Sequence, residues 1–311
     1  MNKSNKIYVA GHTGLIGSAI LKKLIEKGHK NLIYFNRKDL DLMDKNATET
    51  MFRLYNPYYV FIAAANMGGI YTNNTKSGEH FYENIIIQTN IIEAARKSGV
   101  KKLIFLGSSY MYPKHAEQPF KEEQLMGDQL DLVTSSYSMA KLAGVEMCKS
   151  YRKQWGLNFI SAILCNIYGE NDKFLEDEFH TLPTFLYKLY KAKILDLPQV
   201  ELWGDGSPKR ELLYADDLAD ALYFLMDNYD SSIPINIGSG YDVPINFLAK
   251  MIKDIIGYKG DILWNNYKSN GVLTKLMDIS KIKSLGWEPK IDLEKGIKKT
   301  YEWFLQKYND K

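Results

Sequence analysis

The sequence predicts an α/β protein built on a doubly wound parallel sheet, with a second, smaller lobe. Two observations carry that prediction. Strand-like and helix-like runs alternate through the first half of the chain, and the first strand passes into the first helix through glycines at 11, 14 and 17. In such folds, parallel strands joined through helices present their ligands beyond the carboxyl ends of the strands.

Taken in order, Lys6-Ile7-Tyr8-Val9-Ala10 reads as a short buried strand, followed at once by Gly11-His12-Thr13-Gly14-Leu15-Ile16-Gly17. A helix over Ser18–Lys27 comes next, its apolar face marked by Ile20, Leu21, Leu24 and Ile25. Glycines so placed permit a tight strand-to-helix turn, close backbone approach to a pyrophosphate and tight helix–strand packing. The helix N-terminus adds amides and a positive dipole end. Gly11, Thr13, Gly14, Leu15, Ile16 and Gly17 are therefore the expected dinucleotide contacts. The second strand, Asn31–Phe35, runs into Asn36-Arg37-Lys38 with no acid before Asp39. A carboxylate there would bond the 2′-hydroxyl of NAD, whereas an arginine accommodates a 2′-phosphate. Arg37 accordingly favours NADP(H).

Tyr58–Ala65 and Lys102–Leu106 read as further buried strands, with a long helix over Phe81–Ser98 between them. Thr134–Trp155 is the next helix and Asn158–Leu164 the next strand. Ala63-Ala64-Ala65, Gly107-Ser108-Ser109 and Cys165-Asn166 then fall at strand carboxyl ends, where ligands bind. Residues 1–165 thus read as an NADP-binding Rossmann domain. After Tyr168 the alternation loosens, with loops at Asn171–Phe179 and Gly204–Lys209. Residues 166–311 read mainly as a substrate-binding lobe, with the chain returning to the first domain around 211–235.

Composition narrows the function. A net charge of +3 is too small and dispersed for a nucleic-acid footprint, and Asp292 and Glu294 interrupt the lysines of 281–299. No apolar run approaches a membrane span, and residues 1–6 carry no signal-peptide core. Cys148 and Cys165 lack metal-ligand spacing and suit a reducing cytoplasm. No metal and no nucleic-acid or membrane partner is expected.

The chemistry sits in Tyr137-Ser138-Met139-Ala140-Lys141, downstream of Ser108. On a helix Tyr137 and Lys141 are i and i+4 and share a face. An ammonium beneath a phenol is expected to lower its pKa from about 10 toward working pH. Such a tyrosine can exchange a proton with a sugar or alcohol oxygen while hydride moves.

These residues resemble the extended short-chain dehydrogenase/reductases and, within them, the GDP-fucose synthase family of GDP-4-keto-6-deoxymannose epimerase–reductases. The likeness is collinear and nearly full length. It runs through Ala10-Gly11-His12-x-Gly14-x-x-Gly17, Ala63-Ala64-Ala65, Gly68-Gly69-Ile70, Asn73-Asn74-Thr75, Phe105-Leu106-Gly107-Ser108-Ser109 and Tyr112-Pro113-Lys114. It continues in Tyr137-x-x-x-Lys141, Asn166-x-Tyr168-Gly169, Trp203-Gly204, Arg210-Glu211 and Leu285-Gly286-Trp287.

The resemblance implies NADPH-dependent reduction at C4 of a GDP-linked 4-keto sugar, in the supply of surface-glycan precursors. Ser108 would hydrogen-bond the carbonyl oxygen, Tyr137 would donate the proton, and Lys141 would bind the nicotinamide ribose and tune Tyr137. Ala64, Ala65 and His180 would join the cofactor contacts. Ser109, Asn166, Lys188, Trp203 and Arg210 match positions that hold the sugar or the GDP portion. Lys188 stands where the family often has arginine, and Thr13 replaces a family arginine that helps bind the 2′-phosphate. A homodimer is expected, with the helices around Phe81–Ser98 and Tyr137–Trp155 as the packing face.

The family also epimerises C3 and C5, using a cysteine two residues after the serine and a partner histidine. Here the histidine is His180, but the cysteine position holds Tyr110. An untuned phenol near 10 is mostly protonated and bulkier than a thiol near 8.5. The expectation is a C4 reductase whose epimerase activity is lost or weak. The alternative keeps both activities, with Tyr110 activated by a nearby cation. A 4,6-dehydratase would need an acidic pair beside the serine, which Ser109-Tyr110-Met111 does not offer. A 4-epimerase recycling NAD fits Arg37 poorly, and a non-catalytic NADP-binding protein would often lack Tyr137 or Lys141.

Overall fold

In the computed structural model, which describes residues 1–66, 75–174, 181–267 and 273–308, β1 (Ile7–Ala10) is wholly buried and turns through Gly11 into α1 (Leu15–Glu26). β2 (Leu32–Ile33) pairs along one side of β1; α2 (Lys45–Tyr55) then carries the chain across to set β3 (Tyr59–Ile62) on the other side. That reversal makes the crevice above the end of β1 a switch point, where ligands of such sheets bind. β2 is shorter than the predicted Asn31–Phe35 because it is the edge strand, paired only with β1, and Tyr34 already faces solvent.

α3 (Ser77–Lys97), β4 (Lys102–Ser108), α4 (Ser135–Trp155) and β5 (Asn158–Leu164) continue the winding. Next come β6 (Asn166–Tyr168), α5 (Thr181–Ile194), β7 (Gln199–Trp203), β8 (Lys209–Tyr214), α6 (Ala215–Asn228) and β9 (Ile235–Ile237). The chain closes with β10 (Asp242–Pro244), α7 (Ile245–Ile256), β11 (Asp261–Asn265), α8 (Ser280–Ser284) and α9 (Leu293–Tyr308). The main sheet has the order β2-β1-β3-β4-β5-β9, every neighbouring pair parallel. Every residue of β4 is buried, as expected of a strand covered on both faces.

The return to the main sheet is made by α6 and β9, while β8 lies between β6 and β10 in a separate three-stranded sheet. α6 is held to α1 by Lys22–Asp216 (3.1 Å) and Lys23–Asp220 (3.4 Å). Its last carbonyls are met by a buried ammonium: Lys102 Nζ donates to Leu225, Met226 and Tyr229 at 2.9, 2.8 and 2.6 Å. Helix C-terminal carbonyls lack intrahelical donors, so a lysine at the base of β4 anchors α6 there.

There are two hydrophobic cores. The larger packs β1, β3, β4, β5 and β9 with α1 and α6, and takes in Met277, Ile279, Ile282 and Trp287. The smaller gathers Tyr168, Phe174, Leu186 and Leu189 of α5, Leu248 and Ile252 of α7, and Phe304 of α9. Register then sets the junction between them. Ser108 lies opposite Leu164 at the end of the β4–β5 ladder, and Asn166 lies opposite Leu212 on β8. One stretch of β5–β6 therefore joins the end of the main sheet to the strand that carries Arg210. Among the described residues, no helix is long and apolar enough to cross a membrane.

Candidate active site

At the nucleotide end the backbone makes the site. Gly11 sits at φ +82°, in the left-handed region that favours glycine, and a Cβ there would fall 2.7 Å from the Ala64 amide nitrogen. A Cβ on Gly17 would fall 2.1 Å from the Gly11 carbonyl oxygen, so α1 can press against the turn only with glycine there. Gly14 caps α1 without a side-chain hydrogen bond, and the first turn of α1 contains no acid. The leading amides are thus left for an anion. Thr13 and Gly14 are exposed, Leu15 and Ile16 half-buried, and Ala64 and Ala65 follow the end of β3 beside Gly11.

The loop after β3 is tied down by Asn84: the Asn66 amide donates to its Oδ1 (2.9 Å), and its Nδ2 donates to the Asn66 carbonyl (2.7 Å). Beyond β2, Arg37 and Lys38 are exposed in the turn, while the Asp39 carboxylate accepts from Asn36 Nδ2 at 3.4 Å. Glycine cradle, open helix terminus and adjacent cations together fit a phosphorylated dinucleotide.

At the reaction end, Ser108 closes β4 and its Oγ accepts from the Tyr110 amide at 3.3 Å. Ser109–Met111 form a single 3-10 turn, and Ser109 is buried. On α4, Ser138 Oγ donates to the Tyr110 carbonyl at 2.8 Å, tying the turn to the helix that carries Tyr137 and Lys141. Tyr137 is 7% exposed and Lys141 4%. The Lys141 ammonium lies 5.9 Å from the Tyr137 ring centroid and 4.9 Å from that of Phe105.

One expectation is overturned. Lys141 does not lower the Tyr137 pKa: burial pushes the phenol above its ordinary value, and Tyr110 adds to the rise. Burial also pulls Lys141 down to about 8. The shared helical face does bring the two together, but both groups lie in the interior, and burial sets the direction of each shift.

At the sugar end, the Lys275 ammonium stands 3.5 Å from the centroid of the Tyr110 ring. Burial raises the Tyr110 phenol, with the charge of Arg210 opposing the rise and that of Asp131 adding to it. Burial and then Arg210 pull Lys275 down to about 7. Lys188 Nζ lies 5.7 Å from the ring centroid of the partly exposed Trp203. Asn166 Nδ2 donates to the Glu211 carbonyl at 3.0 Å. The Glu211 carboxylate, wholly buried, accepts from the Gly240 and Met277 amides at 2.8 and 3.0 Å, and burial raises it to about 7. His180 lies outside the described residues, as do Gly68-Gly69-Ile70, Asn73 and Asn74.

The structure therefore brings Ser108, Ser109, Tyr110, Tyr137 and Lys141 to one place, with Arg210 close enough to bias Tyr110. Three participants were assigned no role from the sequence. Ser138 passes for a helix surface residue, Glu211 enters only beside Arg210 in the family motif, and Lys275 passes for one lysine among many.

The comparisons with known proteins agree with this architecture. Residues 7–238 match the model of the NAD dependent epimerase/dehydratase family. A putative GDP-L-fucose synthase 2 of Arabidopsis thaliana is 46% identical over 98% of this chain and 93% of its own length. The GDP-L-fucose synthase of Escherichia coli K12 is 38% identical, with 97% of each chain covered. Among solved structures, a GDP-6-OMe-4-keto-L-xylo-heptose reductase from Campylobacter jejuni superposes with a TM-score of 0.94 at 36% identity, covering 99% of both chains. A GDP-mannoheptose C4 reductase from the same organism, with NADP bound, gives 0.91 at 38% identity over 98% of this chain and 99% of its own. On the matched glycine turn, the sheet and the near-complete coverage, this chain belongs to the NAD-dependent epimerase/dehydratase family of extended short-chain dehydrogenase/reductases, among its GDP-sugar reductases and synthases.

Proposed function

We propose that this protein is an NADPH-dependent C4 reductase of a GDP-linked 4-keto sugar and that its C3/C5 epimerase activity is lost or weak. The observation that carries the reading is the hydrogen-bonded turn in which Ser108, Tyr110 and Ser138 lock to one another beside Tyr137, with burial keeping both phenols protonated. NADPH, when bound at the glycine cradle, supplies the hydride. Ser108 Oγ hydrogen-bonds the keto oxygen and polarises it. Tyr137 gives its proton to that oxygen as negative charge develops; a phenol held protonated at neutral pH is suited to the donor's task. Lys141 orients the ribose hydroxyls and stabilises the phenolate that proton donation leaves behind. Arg37 takes the 2′-phosphate, and Gly11, Thr13, Gly14, Leu15, Ile16, Gly17, Ala64 and Ala65 line the pyrophosphate and the neighbouring edge of the cofactor.

Epimerisation demands something else, a base that removes a carbon-bound proton beside the ketone. Tyr110 is poorly suited to that work, because burial disfavours its phenolate more than Arg210 restores it. Asn166, Lys188, Trp203 and Arg210 hold the sugar and nucleotide diphosphate, Arg210 through its planar fork. His180 remains in this reading as a ligand of substrate or cofactor.

Reaction with NADPH and GDP-4-keto-6-deoxymannose in heavy water tests the assignment, with products analysed by mass spectrometry and NMR. Unlabelled NADPH delivers protium to C4, so deuterium at C3 or C5 above an enzyme-free control reports enzyme-driven exchange. The expected product is reduced and carries no such label. Deuterium at those carbons would establish the bifunctional epimerase–reductase instead.

A further inference from the structure

We propose that Glu211 is a positioning residue on the substrate side of the site. Its buried carboxylate clasps the 238–240 turn and the Met277 segment to β8, and so sets Arg210 and Asn166 for the GDP-sugar. The proposal rests on the GDP-sugar reading and deepens it, because the clasp is complete only while the carboxylate is ionised.

Glu211 has no exposed surface, and among the described residues no cation pairs with it. Its two oxygens are taken by backbone amides instead. Gly240 donates to Oε1 at 2.8 Å and Met277 to Oε2 at 3.0 Å. The turn is shaped to receive the group: a Cβ on Gly238 would fall 2.1 Å from Oε1, and Gly240 sits at φ +78°, in the left-handed region. Turns of this kind gather amides into a concavity that binds anions, and here the anion is a side chain of the protein itself.

Three substrate-side elements meet at this residue. Side chains alternate along a strand, so Glu211 turned inward leaves Arg210 on the opposite face of β8. The Glu211 carbonyl accepts from Asn166 Nδ2 at 3.0 Å, which fixes that amide against the same strand. The 273–277 segment is fastened to β8 by the Lys209 amide on the Leu273 carbonyl (2.7 Å) and by the Met277 amide on Glu211. Between them the Leu276 amide donates to Gln118 Oε1 at 2.9 Å. A side chain thus stands in for a ladder bond. Its loss would let strand and segment part at the sugar end and leave the glycine cradle at the end of β1 untouched.

The clasp depends on charge state. A carboxylate only accepts, whereas a protonated acid turns one oxygen into a donor that cannot receive the amide facing it. Burial raises Glu211 to about 7; the Gly240, Met277 and Ser239 amides oppose the rise and the charge of Asp242 adds to it. Asp242 lies opposite Glu211 on β10 and is met by Lys209 at 3.8 Å. The Cys165 thiol, pushed well above its ordinary value by burial and by Glu211, stays neutral. Lys275, two residues before Met277, sits near 7 as well and loses its charge as Glu211 gains one. The clasp is therefore complete above about pH 7 and loosens below it.

The test compares Glu211→Gln with the unaltered protein in GDP-mannose binding, followed by calorimetry at two pH values. The diphosphate of GDP-mannose is a diester and lacks the second proton that a terminal phosphate loses near pH 6. Gln, like the protonated acid, offers one acceptor to two amides. Binding is expected to be about tenfold weaker in the variant at about pH 8, the worth of one hydrogen bond, and equal within about twofold at about pH 6. Taking the ratio of the two proteins at each pH cancels the titration of Lys275. NADPH affinity should differ by less than about twofold at either pH, and turnover should show a raised KM with kcat kept. If Glu211→Gln does not fold, Glu211→Asp carries the same comparison, since the shorter carboxylate cannot span both amides. A ratio that stays constant with pH, or a matching loss of NADPH affinity, would make Glu211 merely structural and overturn the role. A loss confined to kcat would overturn it too. The expected ratio without turnover of any 4-keto GDP-sugar overturns the reductase reading alone, whereas turnover with a flat ratio overturns the role alone.

Discussion

At the nucleotide and reaction ends of the cleft, where the cofactor is handled, the partners are near neighbours in sequence, Gly11 to Gly17 in one turn and Tyr137 with Lys141 one helical turn apart. At the sugar end they come from the 3-10 turn after β4, from β6, α5, β7 and β8, and from the 273–279 segment. Each end contains a tyrosine with a lysine near its ring. In one, helical periodicity sets the Lys141 ammonium 5.9 Å from the Tyr137 centroid; in the other, tertiary packing sets Lys275 3.5 Å from that of Tyr110. Local rules thus build the part of the site that handles a cofactor shared across the fold. The part that must recognise one sugar is assembled from distant segments, each of which can change without disturbing the cradle. The closer contact is the one that no spacing announces.

The comparison breaks if the two ends fail independent tests. Tyr137→Phe should have the largest effect: losing a positioned proton donor is expected to lower kcat by about 10²–10⁴. NADPH affinity, followed by its fluorescence, should barely move, and a matching loss of affinity would mean that the proton donor and the glycine cradle are not separable.

Arg37→Ala should act on the nucleotide end alone. Its expected effect is a rise of about tenfold or more in the NADPH Michaelis constant, the worth of one charge-assisted hydrogen bond, with the NADH constant nearly unchanged. Equal effects on both cofactors would remove Arg37 from the 2′-phosphate site.

The smallest effect is a displaced pH limb. Burial lowers Lys141 to about 8, so its ammonium is complete below that pH and lost as pH rises through it. The value of kcat/KM, which reports the free enzyme, should therefore fall above about pH 8. Lys141→Arg keeps its charge at those pH values. The descending limb should move upward in that variant even if the plateau is lower. A limb that stays in place would assign it to another group, and Lys275, near 7, is the first to examine at the sugar end.

The parallel sheet and the order of its elements were legible because buried strands and amphipathic helices carry their periodicity locally. The sequence predicts α4 over Thr134–Trp155 and the helix runs Ser135–Trp155; it predicts β5 over Asn158–Leu164 and the strand has those bounds. The carboxyl end of β5 is legible for the same reason, whereas β3, expected over Tyr58–Ala65, ends at Ile62, and β4, expected over Lys102–Leu106, runs on to Ser108. The pKa of Tyr137 was not legible, because spacing shows which groups are neighbours but not how much water they keep. Nor was the seating of Tyr110: the sequence showed that a phenol stands where a thiol was expected, but nothing in it pointed to Lys275.

The sequence alone thus determined the fold class, the dinucleotide turn, the serine–tyrosine–lysine set and the family, since each is written in residues close together or in a fixed order. Only the tertiary structure decided that β9 makes the return pairing while β8 joins a separate sheet, with Lys102 closing the end of α6. It alone decided that Ser138 ties Tyr110 to the helix of Tyr137, and that Glu211 and Gln118 hold Lys275 against the Tyr110 ring. Hydrogen bonds and desolvation depend on distances through space, and those are set only when the two cores have packed.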